Sequence, residues 1–171
     1  DRTTENPTEQ SLLECLELWH GKGCDGVIAL GGGSPIDLSK AVALLSSHGG
    51  RLTDYNVKTG GSDAIGKVSP QIAIPTAAGT GAEVGRACVM SQRDGSKVVA
   101  VNLNMVADTV ICDPELTLSL PPHLTAATGI DALSHGVETY CSTWDNPPAA
   151  AIGLDAVRRA RHWLPVAVHD G

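Results

Sequence analysis

The sequence predicts an α/β fold: a dinucleotide-binding domain on a mainly parallel sheet, followed by the start of an all-α domain. Three observations in the 171 residues carry this. Short apolar runs, Gly26-Val-Ile-Ala-Leu30 and Gln71-Ile-Ala-Ile74, have the length of strands buried in a parallel sheet. Each runs straight into a turn of small residues, Gly31-Gly-Gly-Ser34 and Thr76-Ala-Ala-Gly-Thr-Gly81. After Leu120 the strand signals stop and helical periodicity takes over.

The elements follow in order. Residues 8–20 read as a helix, with Thr8 as its cap, Leu12, Leu16 and Trp19 on one face, and Gly21 and Gly23 as the stop. The strand at 26–30 leads into a helix over about 35–47, where Ser34 suits the N-cap, Pro35 the first helical position and Asp37 the third. Residues 51–69 are polar and Gly-rich, hence loop. Strands are expected at 71–74, 85–91, 97–103 and 109–112, the second and third joined by the hairpin dipeptide Asp94-Gly95. Helices are expected at about 126–142 and 148–164, with Leu164-Pro165 as an exit. This places a domain boundary near Leu118: residues 1–118 form a partial nucleotide-binding domain, and 119–171 open a helical one. There is no internal repeat and no low-complexity segment.

Composition excludes several functions. A formal net charge of -7, with aromatics at 3% and no Phe, argues against nucleic-acid binding. Arg158, Arg159 and Arg161 fit a solvated helix face. Five cysteines without a Cys-x-x-Cys pair argue against a disulfide framework or structural zinc, and for a reducing, cytoplasmic compartment. No segment has the length and apolarity of a membrane span, and residues 1–10 are polar, unlike a signal peptide. The opening, without Met, reads as the middle of a longer protein.

Two motifs carry chemistry. Gly31-Gly-Gly-Ser34 leaves backbone amides bare of Cβ atoms at a helix N-terminus, where an anion such as a pyrophosphate is favoured. It is neither Gly-x-Gly-x-x-Gly nor a Walker loop, and a plain strand-to-helix turn has the same composition. Asp131 and His135 stand four apart, on one face of a helix, as half of a divalent-metal site. The same spacing also describes a simple surface hydrogen bond. The small residues around the pair, Ala126, Ala127, Gly129, Ala132 and Gly136, permit close approach of a neighbouring element. Thr76 and Thr80 bring hydroxyls to a permissive turn, and Lys97 opens a strand, where most lysines are solvated. The remaining histidines are scattered, and no nucleophile elbow appears.

Three stretches occur in the order of one family: Gly-Gly-Gly-Ser-Pro-Ile-Asp-Leu-Ser-Lys-Ala at 31–41, Ile74-Pro-Thr-Ala-Ala-Gly-Thr-Gly-Ala-Glu-Val84, and Asp113-Pro-Glu-Leu-Thr through Thr125-Ala-Ala-Thr-Gly-Ile-Asp-Ala-Leu-Ser-His135. The chain resembles the iron-containing (group III) alcohol dehydrogenases. The resemblance implies that Gly32, Gly33 and Ser34 contact the pyrophosphate of NAD or NADP, that Thr76 and Thr80 line the cofactor, and that Lys97 lies near its ribose and nicotinamide. Asp37 matches an Asp common in the family and is expected beside the cofactor cleft. Asp131 and His135 match the first two of four ligands to Fe²⁺, or to Zn²⁺ in some relatives. The implied reaction is hydride transfer between a small alcohol or aldehyde and NAD(P), in a protein that is a homo-oligomer at full length and binds neither nucleic acid nor membrane.

The sequence departs from the family in several places. The last two metal ligands and a further histidine would lie beyond Gly171, and the strands that choose NAD over NADP would precede Asp1. Ala77 replaces a usual Thr. A chain with two of four ligands is expected to hold metal weakly and to be inactive alone. A glycerol dehydrogenase-like enzyme of the same fold, or a non-catalytic nucleotide- or partner-binding module, are the alternatives.

Overall fold

The computed structural model describes residues 6–170; the polar opening at 1–5 and Gly171 lie outside the described residues. The order is α1 (Glu9–Lys22), β1 (Val27–Gly31), α2 (Gly33–His48), β2 (Gln71–Pro75), β3 (Ala87–Ser91), β4 (Lys97–Val101), β5 (Thr109–Val110), α3 (Pro122–Tyr140) and α4 (Pro147–Asp170). The chain divides into two compact units. One holds the described residues up to Pro75 with Ala82–Cys112; the other holds Thr76–Gly81 with the chain from Asp113. The expected boundary at Leu118 lies inside the second unit, shortly before α3.

In the α/β unit, β1, β2 and β5 form a parallel sheet in the order β1-β2-β5. The register pairs Val27 with Gln71 and Gly31 with Pro75, so both strands end on the same rung. The antiparallel pair β3–β4 turns at Asp94-Gly95 as expected: Gly95 takes a φ of 81° and Asp94 Oδ1 accepts the Ser96 N–H at 2.9 Å. Helix α1 starts on Thr8, whose Oγ1 accepts the Ser11 N–H at 3.2 Å, and stops at Gly23 with φ 64°. Helix α2 is buried from Leu38 to Leu45, against Leu12, Leu52, Cys88, Met90, Val98 and Met105. Such all-round burial is the mark of a helix inside a core.

The region 51–69, expected as loop, contains three one-turn 3-10 helices at Leu52–Tyr55, Val57–Thr59 and Gly61–Ala64. His48 reaches across to it: Nε2 accepts the Gly66 N–H at 2.9 Å, which leaves Nδ1 to donate to Leu44 O at 3.3 Å. Those partners select the Nδ1–H tautomer. One expectation about the sheet needs correcting. β1 does not bury its whole apolar run: Ala29 is buried, while Ile28 and Leu30 are 69% and 60% exposed. The alternation of a strand sends Ala29 to the covered face and its two neighbours to the other.

In the second unit α3 and α4 form an antiparallel pair built on glycine. A Cβ at Gly136 would stand 2.9 Å from Gly153 O, and one at Gly153 would stand 2.8 Å from Gly136 O. A Cβ at Gly129 would overlap Leu164 at 2.1 Å. The small residues of α3 thus serve approach to α4. Helix α4 also runs on to Asp170, past the expected exit at Pro165. Proline removes one donor there, and the next turn persists with His169 Nδ1 against Pro165 O at 2.7 Å. Gly136→Ala meets backbone oxygen, which cannot swing aside as a side chain can. It should destabilise the helical unit by about 1–3 kcal/mol, seen as an earlier loss of helical circular dichroism in urea; an unchanged midpoint would contradict the packing described.

Candidate functional site

The glycine loop begins where β1 ends. Gly31 has a φ of 144°, and a Cβ there would lie 2.7 Å from Pro35 Cγ, so this position is glycine for conformation and for packing against the ring. Helix α2 starts two residues earlier than the sequence suggests, at Gly33, with Gly32 as N-cap and no side-chain capping bond. Ser34 is therefore inside the first turn. The cap is backbone alone, which places glycines rather than a hydroxyl at the positive end of the helix dipole. A Cβ at Gly32 would meet nothing within 4 Å. The protein leaves that space open, the condition for close approach of a phosphate group to the backbone.

Asp37 and Lys40 face into the α/β unit. Asp37 Oδ2 accepts the Val89 N–H at 3.0 Å. Lys40 is fully buried, and its Nζ donates to the carbonyls of Ala82 (2.6 Å), Gly85 (2.6 Å) and Ala87 (3.1 Å). Burial pushes the Asp37 carboxyl up and the Lys40 ammonium down, and the opposite charge of each works against that shift. Sequence reasoning missed Lys40, because a lysine in a helix normally reads as solvated. A signal was present: it sits in Leu38-Ser-Lys-Ala-Val-Ala-Leu-Leu45, among residues with no solvent face. Lys97, at the start of β4, is exposed.

The second turn, Thr76–Gly81, belongs to the helical unit, where Gly79 lies against α3. A Cβ there would stand 2.7 Å from Thr128 Cβ and 2.8 Å from Thr128 O. Thr76 is half-buried and Thr80 exposed. One turn beyond Thr128 on the same helix, Asp131 Oδ1 and His135 Nε2 converge to 3.8 Å, with side chains 43% and 50% exposed. Carboxylate and imidazole suit a divalent cation. Among the described residues no group of three or more His, Cys, Asp or Glu gathers, so the pair offers two donors. Between α3, α4 and the 114–120 segment is a largely apolar cavity of about 450 Å³, with Ala132 and Trp163 in its wall; neither Asp131 nor His135 lines it.

The chain as a whole is similar to known proteins. The model of the family "iron-containing alcohol dehydrogenase" matches residues 1–114. The chain belongs to the iron-containing alcohol dehydrogenase family. It is 44% identical to 4-hydroxybutyrate dehydrogenase of Cupriavidus necator, across 100% of this chain and 45% of that protein. It is also 44% identical to long-chain-alcohol dehydrogenase 1 of Geobacillus thermodenitrificans, across 86% of this chain and 37% of the relative. Among solved structures, 1,3-propanediol oxidoreductase superposes with a TM-score of 0.90 at 34% identity, covering 98% of this chain and 44% of that one. Sulfoacetaldehyde reductase of Bifidobacterium kashiwanohense, solved with NAD⁺, gives 0.88 at 33%, covering 99% and 45%. The chain thus spans less than half the length of the relatives it matches. The fold expected from the sequence, a parallel sheet with helices followed by a helical part, is that of these family members.

All five cysteines are free, and Cys24, Cys112 and Cys141 are exposed. Cys88 is the opposite case: burial, then the Asp37 charge, push its thiol up to about 12. At neutral pH a thiol reagent should label the three exposed cysteines on the native chain and reach Cys88 only after denaturation; native labelling of Cys88 in peptide mass spectra would refute the core arrangement.

Proposed function

We propose that this chain supplies the dinucleotide cradle and two of the metal ligands of an NAD(P)-linked, metal-dependent alcohol dehydrogenase that runs in reverse as an aldehyde reductase. The observation that carries this reading is the convergence of Asp131 and His135 to 3.8 Å on a helix that also abuts the threonine turn. The names of the relatives, from 1,3-propanediol oxidoreductase to long-chain-alcohol dehydrogenase 1, favour an alcohol or aldehyde as substrate and span short and long chains. Fe²⁺ is the metal the family name suggests, with Zn²⁺ as the other cation these donors suit. NAD is favoured over NADP by the NAD⁺ complex of the sulfoacetaldehyde reductase.

Each residue then has a part. Gly32, Gly33 and Ser34 hold the pyrophosphate at the positive end of α2. Thr76 and Thr80 set hydroxyls along the dinucleotide, and Lys97 adds a cation for its ribose end. Asp131 through its carboxylate and His135 through Nε2 would hold the cation. A cation held there would supply Lewis acidity toward an alcohol oxygen, and a bound nicotinamide would supply the hydride acceptor. Free exposed thiols support a reducing compartment such as the cytoplasm. No helix among the described residues is long and apolar enough to cross a membrane.

Calorimetry on the chain tests both halves. Fe²⁺ under argon should bind saturably and weakly, and Asp131→Ala should abolish it; equal heats from the variant would end the metal reading. Gly32→Ala should leave folding within about 1 kcal/mol, since its Cβ meets nothing. It should weaken NADH binding by about tenfold or more, whereas undiminished affinity would remove the loop from the cofactor site.

A further inference from the structure

The chain gathers three carbonyls around Lys40 at considerable cost. An ammonium buried without solvent needs all its protons satisfied, and Lys40 has an acceptor for each of the three: Ala82, Gly85 and Ala87. The carbonyls converge because the chain folds back between Ala82 and Ala87, with the Gly85 N–H returning to Ala82 O at 3.2 Å. Asp37, one turn earlier on α2, takes the Val89 N–H at 3.0 Å and supplies the nearby negative charge. Two side chains from one helix thus hold residues 82–89.

That segment begins where the Thr76–Gly81 turn ends. The turn's entry is already fixed, since Pro75 is the last residue of β2 and pairs with Gly31. Its exit is Ala82, the residue whose carbonyl lies 2.6 Å from Lys40 Nζ. An apolar side chain could fill the same volume, and a buried charge is rarely the most stable choice. What the ammonium adds is a fixed point for the backbone.

We infer that Lys40, braced by Asp37, is a positioning residue for the nucleotide turn: it sets where Thr76–Gly81 ends, so dinucleotide affinity depends on an ammonium buried away from the dinucleotide. This rests on the dinucleotide reading above. Arginine cannot replace it, because a planar guanidinium spreads its donors and cannot gather three carbonyls at one point.

The test uses Lys40→Arg, which keeps the charge, and Lys40→Met, which removes it. NADH affinity is read by fluorescence titration, melting by circular dichroism, and the Gly85 and Val89 amides by hydrogen exchange. Lys40→Arg should melt below the parent chain while still folding, lose protection at those two amides, and bind NADH about tenfold more weakly, the scale on which outer residues act on a site they orient. Lys40→Met should show the same losses with a lower melting point; if it does not fold, Lys40→Arg decides alone. Unchanged NADH affinity in folded Lys40→Arg overturns the inference. A parent chain that binds no NADH overturns the dinucleotide reading instead. The exchange data then judge the clamp: lost protection in Lys40→Arg upholds it, and retained protection overturns it.

Discussion

Helix α2 is enclosed by protein from Leu38 to Leu45, and the rest of the α/β unit is arranged around that fact. A helix without a solvent face has to satisfy every polar group it carries from its neighbours. Ser39 turns its hydroxyl back to Ile36 O at 2.8 Å, Asp37 takes an amide of β3, and Lys40 collects carbonyls from the chain that leads into β3. The same helix begins at the glycine loop. Burial of its middle therefore fixes the direction of its N-terminus, and with it the place where an anion would be met.

Glycine serves different ends in the two units. Above Gly32 there is open space, at the N-terminus of a helix. At Gly79, Gly129, Gly136 and Gly153 the space is already taken by Thr128, Leu164 and the facing backbone. The first kind leaves the backbone open, and the second packs one element against another. Asp131 and His135 profit from the scaffold: the glycines of α3 face α4, which leaves the carboxylate and imidazole half-exposed on the remaining surface.

Much of this was legible in the sequence, where local rules decide the outcome. Thr8 and Gly23 bound α1, Asp94-Gly95 makes the hairpin turn, and apolar runs before small-residue turns gave the parallel strands. Reading failed where distant partners decide. Ser34-Pro35 looks like a helix start, yet the bare backbone of Gly32 caps α2. β5 stops at Val110 instead of Cys112 because only its first residues pair with β2. Lys40 was opaque because its partners lie 42–47 residues away. For the candidate site, the spacing of Asp131 and His135 left a surface hydrogen bond as open as a metal site and the family resemblance favoured the metal, while Asp37 shows its bond to Val89 only once β3 is folded against α2.

The chain crosses between its units more than once. It leaves the α/β unit at Pro75, returns at Ala82 and leaves again at Cys112. No single cut can therefore release either unit whole. Cleavage after Cys112 would strand the hexapeptide Thr76–Gly81 without α3, the helix its Gly79 rests on. A single cleavage after Cys112 should accordingly yield no fragment that carries all of the second unit.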